Sequence, residues 1–312
     1  MLAIISHPDC LLHDAGAGHP ECPERISAIN DQLLSSGFDV FCRHYDAPLA
    51  SQKQIGLAHD PNYVAAVFSA APTIGAIMLD PDTRMSAHSL AAAQRAAGAV
   101  IHAVDLVLSG AHSAAFCNVR PPGHHATADQ AMGFCIFNNV AIGAAHALAT
   151  GKISRLAIVD FDIHHGNGTE AIVNNDARIL FCSSFESDNY ASWFAKENNA
   201  RRINVSLPGM PTGADLRQAF ASKVLSALNQ FAPELIILSA GFDGHCDDEL
   251  SRACFREADF AWITARIKEI ADRHAGGRMI SVLEGGYALH ALGRSVVAHL
   301  RALMGEHAGD MT

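Results

Sequence analysis

Short runs of continuously apolar residues alternate along this chain with longer, alanine-rich stretches of helical character. Three of these runs lie within 155–160, 234–239 and 278–283, and each range has four apolar residues among its six. A strand of this kind is buried on both faces, as in parallel sheets that helices cover on both sides. Strands that alternate with helix-length segments are typical of β-α-β units. The pattern therefore predicts an α/β fold with a mostly parallel sheet and helices on both faces.

The predicted elements occupy most of the chain. The eight predicted strands are 2–6, 40–43, 113–117, 155–160, 178–183, 202–205, 234–239 and 278–283. The predicted helices include 23–35, 89–108, 137–149, 214–230, 256–274 and 289–303. The chain is 49% hydrophobic and has no Pro/Ser-rich or charge-rich linker. We therefore expect one domain over residues 1–312 with one large core.

Polar clusters follow four of the predicted strands, at the point where each strand ends. They lie at 120–125, 160–165, 239–243 and 284–287. The carboxyl ends of parallel strands meet at one edge of an open sheet, where ligands bind. Any single cluster would be a weak signal, but four at the same kind of position predict a functional site on this rim.

Residues 160–165 read Asp-Phe-Asp-Ile-His-His and end the apolar run that begins at 155. In an extended segment side chains alternate between faces, so Asp160, Asp162 and His164 point to the same side. Crowding ionisable groups at the end of a buried strand costs desolvation energy and causes repulsion unless a cation offsets both. A metal site therefore explains the segment better than the alternative, a solvated polar turn.

Asp243 offers a third ligand, because it follows a glycine just after the apolar run 234–239. Two aspartates and one histidine leave a coordination position open for water and a substrate carbonyl, as in catalytic rather than structural zinc sites. Because the set contains no thiolate, Fe²⁺ or another divalent metal stays open as an alternative to Zn²⁺.

Further side chains at the rim suit acid–base chemistry. Tandem His124 and His125 follow Pro-Pro-Gly and offer a base to deprotonate water and an acid to protonate a leaving amine. Asp160 is placed to hold His124 charged and oriented. Tyr287 follows two glycines, and its hydroxyl could donate to the oxyanion of a tetrahedral intermediate. The alternatives are an incidental surface loop for the histidines and simple packing for the tyrosine.

The net charge indicates which kinds of partner to expect, and the cysteine content indicates the cellular compartment. The formal net charge of −10 argues against binding to nucleic-acid phosphates and is compatible with cationic substrates. The sequence shows no signal peptide and no apolar stretch long enough for a membrane span. The eight cysteines are scattered without a CxxC pair, so we expect reduced thiols in a cytoplasmic protein. The sequence leaves the oligomeric state open.

The polar clusters carry motifs that resemble those of the histone deacetylase family: RPPGHH at 120–125, DFDIHHGNGT at 160–169, SAGFD at 239–243 and LEGGY at 283–287. The resemblance covers most of the chain and includes HPECPER at 19–25 and LDPDT at 79–83. Asn167 in HHGNG is similar to the class II branch and its bacterial amidohydrolase relatives. The resemblance implies the arginase-deacetylase fold.

The resemblance also implies roles for individual residues. It implies zinc ligands at Asp162, His164 and Asp243, with the supporting residues His165 and Asn167 behind them. It implies His125 as general base and acid, His124 as its electrostatic partner backed by Asp160, and Tyr287 as the group that polarises the carbonyl. It implies a monovalent cation, K⁺, near Asp160, Asp162, His164, Ser183 and Ser184.

The acyl-lysine tunnel is also implied by the resemblance, with residues Gly133, Phe134, Asp82, Leu250, Gly285 and Gly286. Asp82 would clamp the substrate backbone at the rim. Many relatives have an aromatic loop with proline and glycine as the second tunnel wall, and this chain has the different segment 185–193. Either Tyr190 or Trp193 could form the wall opposite Phe134, or both could simply pack.

The expected function is zinc-dependent removal of acetyl, or longer acyl, groups from lysine side chains of proteins or peptides. Polyamine-selective relatives carry a glutamate where this chain has Leu250, with Glu249 beside it. A leucine would not attract a secondary ammonium, so acetylpolyamines are the alternative substrate. Alternatives of other kinds are a silent binder of acylated ligands and a dinuclear manganese hydrolase like arginase, which needs further bridging carboxylates.

Overall fold

The computed structural model describes residues 1–306 and contains ten strands in that range. They are β1 Leu2–Ser6, β2 Cys42–Asp46, β3 Ala76–Asp80, β4 Thr83–Ser86, β5 Ala114–Cys117, β6 Leu156–Asp160, β7 Ile179–Glu186, β8 Arg202–Leu207, β9 Ile236–Ala240 and β10 Met279–Leu283. Eight strands form one sheet in the order β2-β1-β5-β10-β9-β6-β7-β8. All neighbours in this sheet are parallel. The predicted eight-stranded parallel sheet is therefore confirmed.

Helices connect the strands and cover the sheet. They are α1 Glu24–Ser35, α2 Gln52–Ile55, α3 Pro61–Ala70, α4 Ser89–Leu108, α5 Asn139–Ala149, α6 Asn167–Val173, α7 Gly213–Ala219, α8 Leu225–Phe231, α9 Glu257–His274 and α10 Leu289–Leu303. The sheet has a hydrophobic core on each face. Adjacent residues of one strand belong to different cores, because their side chains point to opposite faces. Val159 packs in the core under α1, α9 and α10, whereas Ile158 packs in the core under α4 and α5. Helices thus cover both faces, as predicted.

Local details differ from the prediction. The second strand begins at Cys42 rather than at residue 40, because the residues before it form a 3₁₀ turn, Phe38–Phe41. The predicted helix 214–230 contains a π-helical turn at Phe220–Val224, which separates α7 from α8. The antiparallel hairpin of β3 and β4 was not predicted. That the single domain extends to residue 312 stays a prediction, because residues 307–312 lie outside the described part.

The expectation that all eight cysteines are reduced thiols is wrong for one pair, because Cys246 and Cys254 form a disulfide. Backbone hydrogen bonds bring their segments together. The N–H of Cys246 donates to the carbonyl of Phe255 at 3.0 Å, and the N–H of Phe255 donates to that of Gly244 at 2.9 Å. A separation of eight residues along the chain matches no recognisable motif, so this pair could not be predicted from the sequence.

Helix α4 is long and apolar enough to cross a membrane by length and composition alone. Its apolar window is 61% buried inside the protein. Val100 and Val104 from this helix belong to the core on one face of the sheet. The sequence did not predict a candidate span here, because Arg95 and Asp105 interrupt the apolar run.

A buried ion network fixes the start of the 120–125 loop. The guanidinium of Arg120 is fully buried and donates to both carboxylate oxygens of Glu21, at 2.5 and 2.7 Å. Arg25 approaches the same carboxylate at 3.2 Å. Burial opposes the charged form, but Arg120 and His13 hold the pKa of Glu21 well below its ordinary value. The network ties the polar loop to the segment before α1.

Replacing Glu21 with glutamine leaves the buried Arg120 guanidinium without its counter-charge. We expect the free energy of unfolding, measured in urea at pH 7, to fall by about 3–5 kcal/mol. Asp14→Asn is the control, because Asp14 pairs with Arg84 at 3.2 Å in a pair that solvent reaches. It should change stability by less than about 1 kcal/mol. Equal small losses in both variants would show that the buried network is not stabilising.

The same network makes stability depend on pH. The pKa of Glu21 is lower in the folded than in the unfolded chain, so the folded state binds fewer protons. The contribution of Glu21 is therefore complete above pH about 5 and is lost as the pH falls below about 4.3, the ordinary glutamate pKa. Glu21→Gln should be less sensitive than the original chain to acid in this range.

Candidate active site

The four polar clusters lie on four adjacent strands. They follow β5, β10, β9 and β6, which are consecutive in the centre of the sheet. Since all four strands are parallel, their carboxyl ends lie together on one edge. The predicted rim is therefore formed by the middle of the sheet, where both faces are covered and the polar groups are shielded from water.

Three side chains converge beyond the ends of β6 and β9. Ligand atoms of Asp162, His164 and Asp243 all lie within 4.8 Å of one another. His164 Nδ1 is 3.1 Å from a carboxylate oxygen of Asp162 and 3.0 Å from one of Asp243. The second oxygens are held by backbone N–H groups, since Gly285 donates to Asp162 at 2.9 Å and Ile163 donates to Asp243 at 3.2 Å. Both carboxylates are thus aimed by the surrounding loops.

This donor set suits a divalent cation. Burial and the charge of Asp162 raise the pKa of Asp243 to about 6, because two buried carboxylates lie side by side. A divalent ion would relieve that repulsion, and carboxylate oxygen and imidazole nitrogen are ligands for zinc and for Fe²⁺. A Cβ atom at Gly285 would collide with both carboxylates, so the close approach of the backbone requires glycine there.

The two histidines of the 120–125 loop have different partners. His124 Nδ1 donates to the Asp160 carboxylate at 3.0 Å, and His125 Nδ1 donates to the Asn167 side-chain oxygen at 2.7 Å. Burial opposes the charged form, but the carboxylates of Asp162 and Asp160 raise the pKa of His124 to about 10. Burial and the neighbouring His124 hold the pKa of His125 well below its ordinary value. At neutral pH, His124 is a cation and His125 has a free Nε2 lone pair.

The buried carboxylate of Glu284 holds the 120–125 loop in place. Glu284, at the end of β10, accepts hydrogen bonds from the backbone N–H groups of Gly123 at 2.7 Å and His124 at 3.1 Å. Burial raises the pKa of Glu284 to about 7. The loop with the two histidines is therefore bound both to β10 and, through Arg120, to Glu21.

Three contacts hold Tyr287 and the residue before it in place. Its backbone N–H donates to Asp248 at 2.6 Å, and the Arg25 guanidinium lies 4.9 Å from the centre of its ring. Arg25 also donates to the carbonyl of Gly286 at 2.7 Å. Burial holds the pKa of Tyr287 well above its ordinary value, so the hydroxyl keeps its proton and can donate.

The predicted groups line one cavity of about 220 Å³. Its walls are formed by Asp82, Pro122, His124, His125, Gly133, Phe134, His164, Asn189, Tyr190, Asp243, Leu250, Gly285 and Tyr287. Gly286 is not among these residues, because its carbonyl accepts a hydrogen bond from Arg25 behind the cavity. Asp162 lies beneath the floor and Asp160 behind His124, both fully buried.

Two aromatic side chains, Phe134 and Tyr190, line the cavity. Phe134 has a positive φ of 67°, an uncommon conformation that follows Gly133, where a Cβ atom would collide with the His125 ring. The N–H of Gly133 donates to Asp82 at 2.9 Å. Tyr190 packs edge-on against His125, with ring centres 5.2 Å apart. Trp193 packs against Tyr190 and is 66% exposed, so Tyr190 rather than Trp193 faces the cavity.

Two residues expected near a monovalent cation, Ser183 and Ser184, lie on β7, where Ser183 pairs with Asp160 of β6. His165 Nδ1 interacts with the Ser183 hydroxyl at 3.1 Å, and His165 Nε2 lies 2.7 Å from Glu170. The hydroxyl oxygen of Ser184 is buried without a hydrogen-bond partner. His165 thus faces away from the three converging ligands and packs behind them.

The profile of the Histone deacetylase domain matches residues 19–303. The chain belongs to the histone deacetylase family. Membership explains why the four motifs share a rim, since they belong to one domain of this family. The chain also has the family's eight-stranded fold. It superimposes on the crystal structure of the HDA15 HD domain with a TM-score of 0.89, at 31% identity, over 98% of this chain and 88% of that one.

Two curated histone deacetylase relatives show the range of the family. The chain is 36% identical to the Histone deacetylase-like amidohydrolase of Pseudomonas aeruginosa, over 88% of this chain and 74% of the relative. It is 35% identical to Polyamine deacetylase HDAC10 of Mus musculus, over 97% of this chain. The chain spans about half the length of the mouse protein, 48%.

Three charged residues that have no role predicted from the sequence hold the loops around the cavity of this histone deacetylase family member. Arg25 and Asp248 fix the loop with Tyr287, and Glu284 fixes the loop with His124. Arg25 and Glu284 lie inside motifs at 19–25 and 283–287, so their position in those motifs was an available signal. Asp248 lies in an irregular loop whose path no periodic pattern encodes.

Proposed function

We propose that this chain is a zinc-dependent amidohydrolase that removes acetyl, or longer acyl, groups from lysine side chains of proteins or peptides. The observation that carries the proposal is the convergence of Asp162, His164 and Asp243 at the cavity that is also lined by His125 and Tyr287. A metal site, a base and a hydrogen-bond donor around one cavity are the parts that amide hydrolysis needs.

The three converging side chains would hold one zinc ion. When bound there, the metal supplies Lewis-acid polarisation of the substrate carbonyl and lowers the pKa of water. Fe²⁺ suits the same oxygen and nitrogen donors. We also propose that a K⁺ ion binds near Asp160 and Ser184. The buried carboxylate of Asp160 and the Ser184 hydroxyl, which has no hydrogen-bond partner, support this site.

His125 acts as the base. Asn167 accepts its Nδ1–H, which leaves Nε2 free to take a proton from water at neutral pH. The protonated Nε2 then returns this proton to the amide nitrogen, so that the C–N bond breaks and lysine leaves as a neutral amine. Burial and the cationic His124, which Asp160 holds, keep the pKa of His125 low enough for this proton to be released.

Tyr287 binds the carbonyl oxygen. Its hydroxyl stays protonated at neutral pH and can donate to the negative charge that develops on that oxygen. Arg25 and Asp248 keep the ring and the backbone of Tyr287 in place before substrate arrives. The phenolic donor therefore pays no reorganisation cost during the reaction.

The tunnel favours an acyl-lysine over an acetylpolyamine. Phe134 and Tyr190 offer apolar walls to the methylene chain of a lysine, and Leu250 lines the mouth without a charge. The alternative, acetylpolyamine deacetylation, is supported by the name of the mouse relative and by the exposed Glu249 next to Leu250. A cytoplasmic location, expected from the sequence, stays a prediction.

Acetyl-lysine peptide, longer acyl-lysine peptides and acetylated polyamines should be compared on one preparation. We expect the acetyl-lysine peptide to have the higher kcat/KM. If acetylated polyamines exceed the peptides tenfold or more, a difference of about 1.4 kcal/mol in transition-state binding, the acyl-lysine proposal is wrong. If no substrate is turned over while it binds, the chain is a silent binder of acylated ligands.

The Leu250→Glu variant tests the preference for acyl-lysine peptides over acetylated polyamines. A carboxylate at the cavity mouth should raise kcat/KM for an acetylated polyamine about tenfold relative to the peptide, because a nearby charge stabilises a partly buried ammonium by about 1–2 kcal/mol. Glu249→Gln is the matched control, since it removes the neighbouring exposed charge. If Glu249→Gln changes the ratio of kcat/KM for the polyamine to kcat/KM for the peptide, and Leu250→Glu does not, polyamine recognition depends on Glu249.

A further inference from the structure

A seven-residue loop, 247–253, is closed by the disulfide between Cys246 and Cys254 and contacts the active site at three points. Asp248 accepts hydrogen bonds from the N–H groups of Tyr287 at 2.6 Å and Ala288 at 3.1 Å. The hydroxyl of Ser251 donates to the backbone carbonyl of Asp243 at 2.8 Å. Leu250 lines the cavity. The loop therefore contacts a proposed metal ligand, the segment of the proposed carbonyl donor and the tunnel mouth.

The loop also reaches the segment that forms the second tunnel wall. Arg252 pairs with the buried carboxylate of Glu186 at 2.7 Å, and its backbone N–H donates to the same carboxylate at 3.2 Å. Asn189, which lines the cavity beside Tyr190, donates to Glu186 at 2.8 Å. A displacement of the 247–253 loop would thus affect both Asp243 and the segment that contains Asn189 and Tyr190.

The disulfide is open to solvent. Cys254 is exposed and Cys246 is half-buried, whereas five of the six free cysteines in residues 1–306 are buried. Burial raises the pKa of the Cys10, Cys117 and Cys182 thiols, so these groups seldom ionise to the reactive thiolate. Cys22 is the one half-buried free thiol in this range. A redox reagent therefore meets the 246–254 pair first.

We propose that Cys246 and Cys254 form a redox site that regulates the catalytic cavity. A thiolate of a reducing dithiol attacks one sulfur, so that the Sγ–Sγ bond breaks and a mixed disulfide forms. The second thiol of the reductant then closes its own disulfide, and both cysteines become thiols with two electrons and two protons gained. The opened loop loses its covalent closure, and Asp248, Leu250 and Ser251 no longer hold the cavity in one geometry. This inference rests on the proposed hydrolase activity.

The effect on catalysis follows from positioning. Displacing a substrate-positioning group by about 1 Å can cost up to about a hundredfold in rate. Leu250 lines the cavity, and Asp248 acts through Tyr287, so reduction should raise KM and lower kcat together. We expect kcat/KM to fall about tenfold on reduction and to return on reoxidation.

The test measures kcat and KM of the full chain on an acetyl-lysine peptide, first oxidised, then after dithiothreitol, then after reoxidation. Alkylation and mass analysis of each sample should show that positions 246 and 254 become modified together, and only after reduction. The Cys246→Ser/Cys254→Ser double variant should resemble the reduced protein and should not respond to dithiothreitol. This variant also controls for removal of metal by the reagent, and Cys22→Ser should respond as fully as the original chain.

The outcomes separate the two proposals. Activity that is equal in the oxidised and reduced states, with 246 and 254 shown to be reduced, overturns the redox site and leaves the hydrolase intact. Free thiols at both positions in protein prepared without reductant overturn it as well. Absence of turnover in every redox state contradicts the hydrolase itself. Should the double variant not fold, reversibility in the original chain still decides, because reoxidation must restore KM.

Discussion

Replacing Tyr287 with phenylalanine is expected to lower kcat about a hundredfold or more, as the loss of one oxyanion donor does in other hydrolases. The variant removes only the hydroxyl, so the ring keeps its contacts with Arg25 and Phe134. KM should change little, because the hydroxyl binds the transition state more strongly than the substrate. Steady-state kinetics on an acetyl-lysine peptide, with metal content measured on the same sample, provides the test.

Tyr63→Phe is the matched control for this variant. Tyr63 is half-buried, and its hydroxyl donates to the carbonyl of Ile136 at 2.7 Å outside the catalytic cavity. Its loss should lower stability by about 1 kcal/mol without changing kcat. If Tyr287→Phe keeps its full rate, the tyrosine has no part in the mechanism and only packs against Arg25.

Replacing Asp243 with asparagine should lower turnover by about a thousandfold or more. Asparagine has nearly the same shape but no negative charge, so the set of two carboxylates and one imidazole loses a charged ligand. A metal supplies several kcal/mol of transition-state stabilisation, which corresponds to this loss in rate. Bound zinc per chain, measured after dialysis, should fall with the rate.

Asp105→Asn is the control for the removal of a carboxylate. Asp105 lies on α4 and pairs with His146 at 2.9 Å, and its side chain is 56% exposed. Zinc content and turnover should both stay at the original level. An Asp243→Asn variant that binds zinc as well as the original chain would mean that the ion is held elsewhere.

The sheet and the placement of the site could be predicted because strong local patterns encode them. Continuously apolar runs marked β6, β9 and β10, and their order along the chain placed helices between them. Polar clusters directly after these strands then had to meet at one edge. Neither step needs knowledge of a distant contact, because strand direction alone brings the ends together.

The partners of residues that are distant along the chain could not be predicted from the sequence, even where the residues lie in motifs. Arg25 contacts Gly286, and Glu284 contacts Gly123, across separations of 261 and 161 residues. A buried charge looks like a surface charge in a sequence until its partner is known. The Cys246–Cys254 disulfide depends on backbone pairing within an irregular loop. The place of Tyr190 in the cavity depends on how 185–193 folds over His125.

Metal reconstitution tests the central claim most directly. The protein is stripped with a chelator and zinc is added stepwise, with bound metal and deacetylation of an acetyl-lysine peptide recorded at each step. We predict that activity rises linearly and stops at about one equivalent per chain, as expected for one catalytic site. Variants at Asp162, His164 and Asp243 should bind no zinc under the same conditions. Full activity in the stripped protein, a requirement for two equivalents, or one tightly bound zinc in those variants would contradict the account.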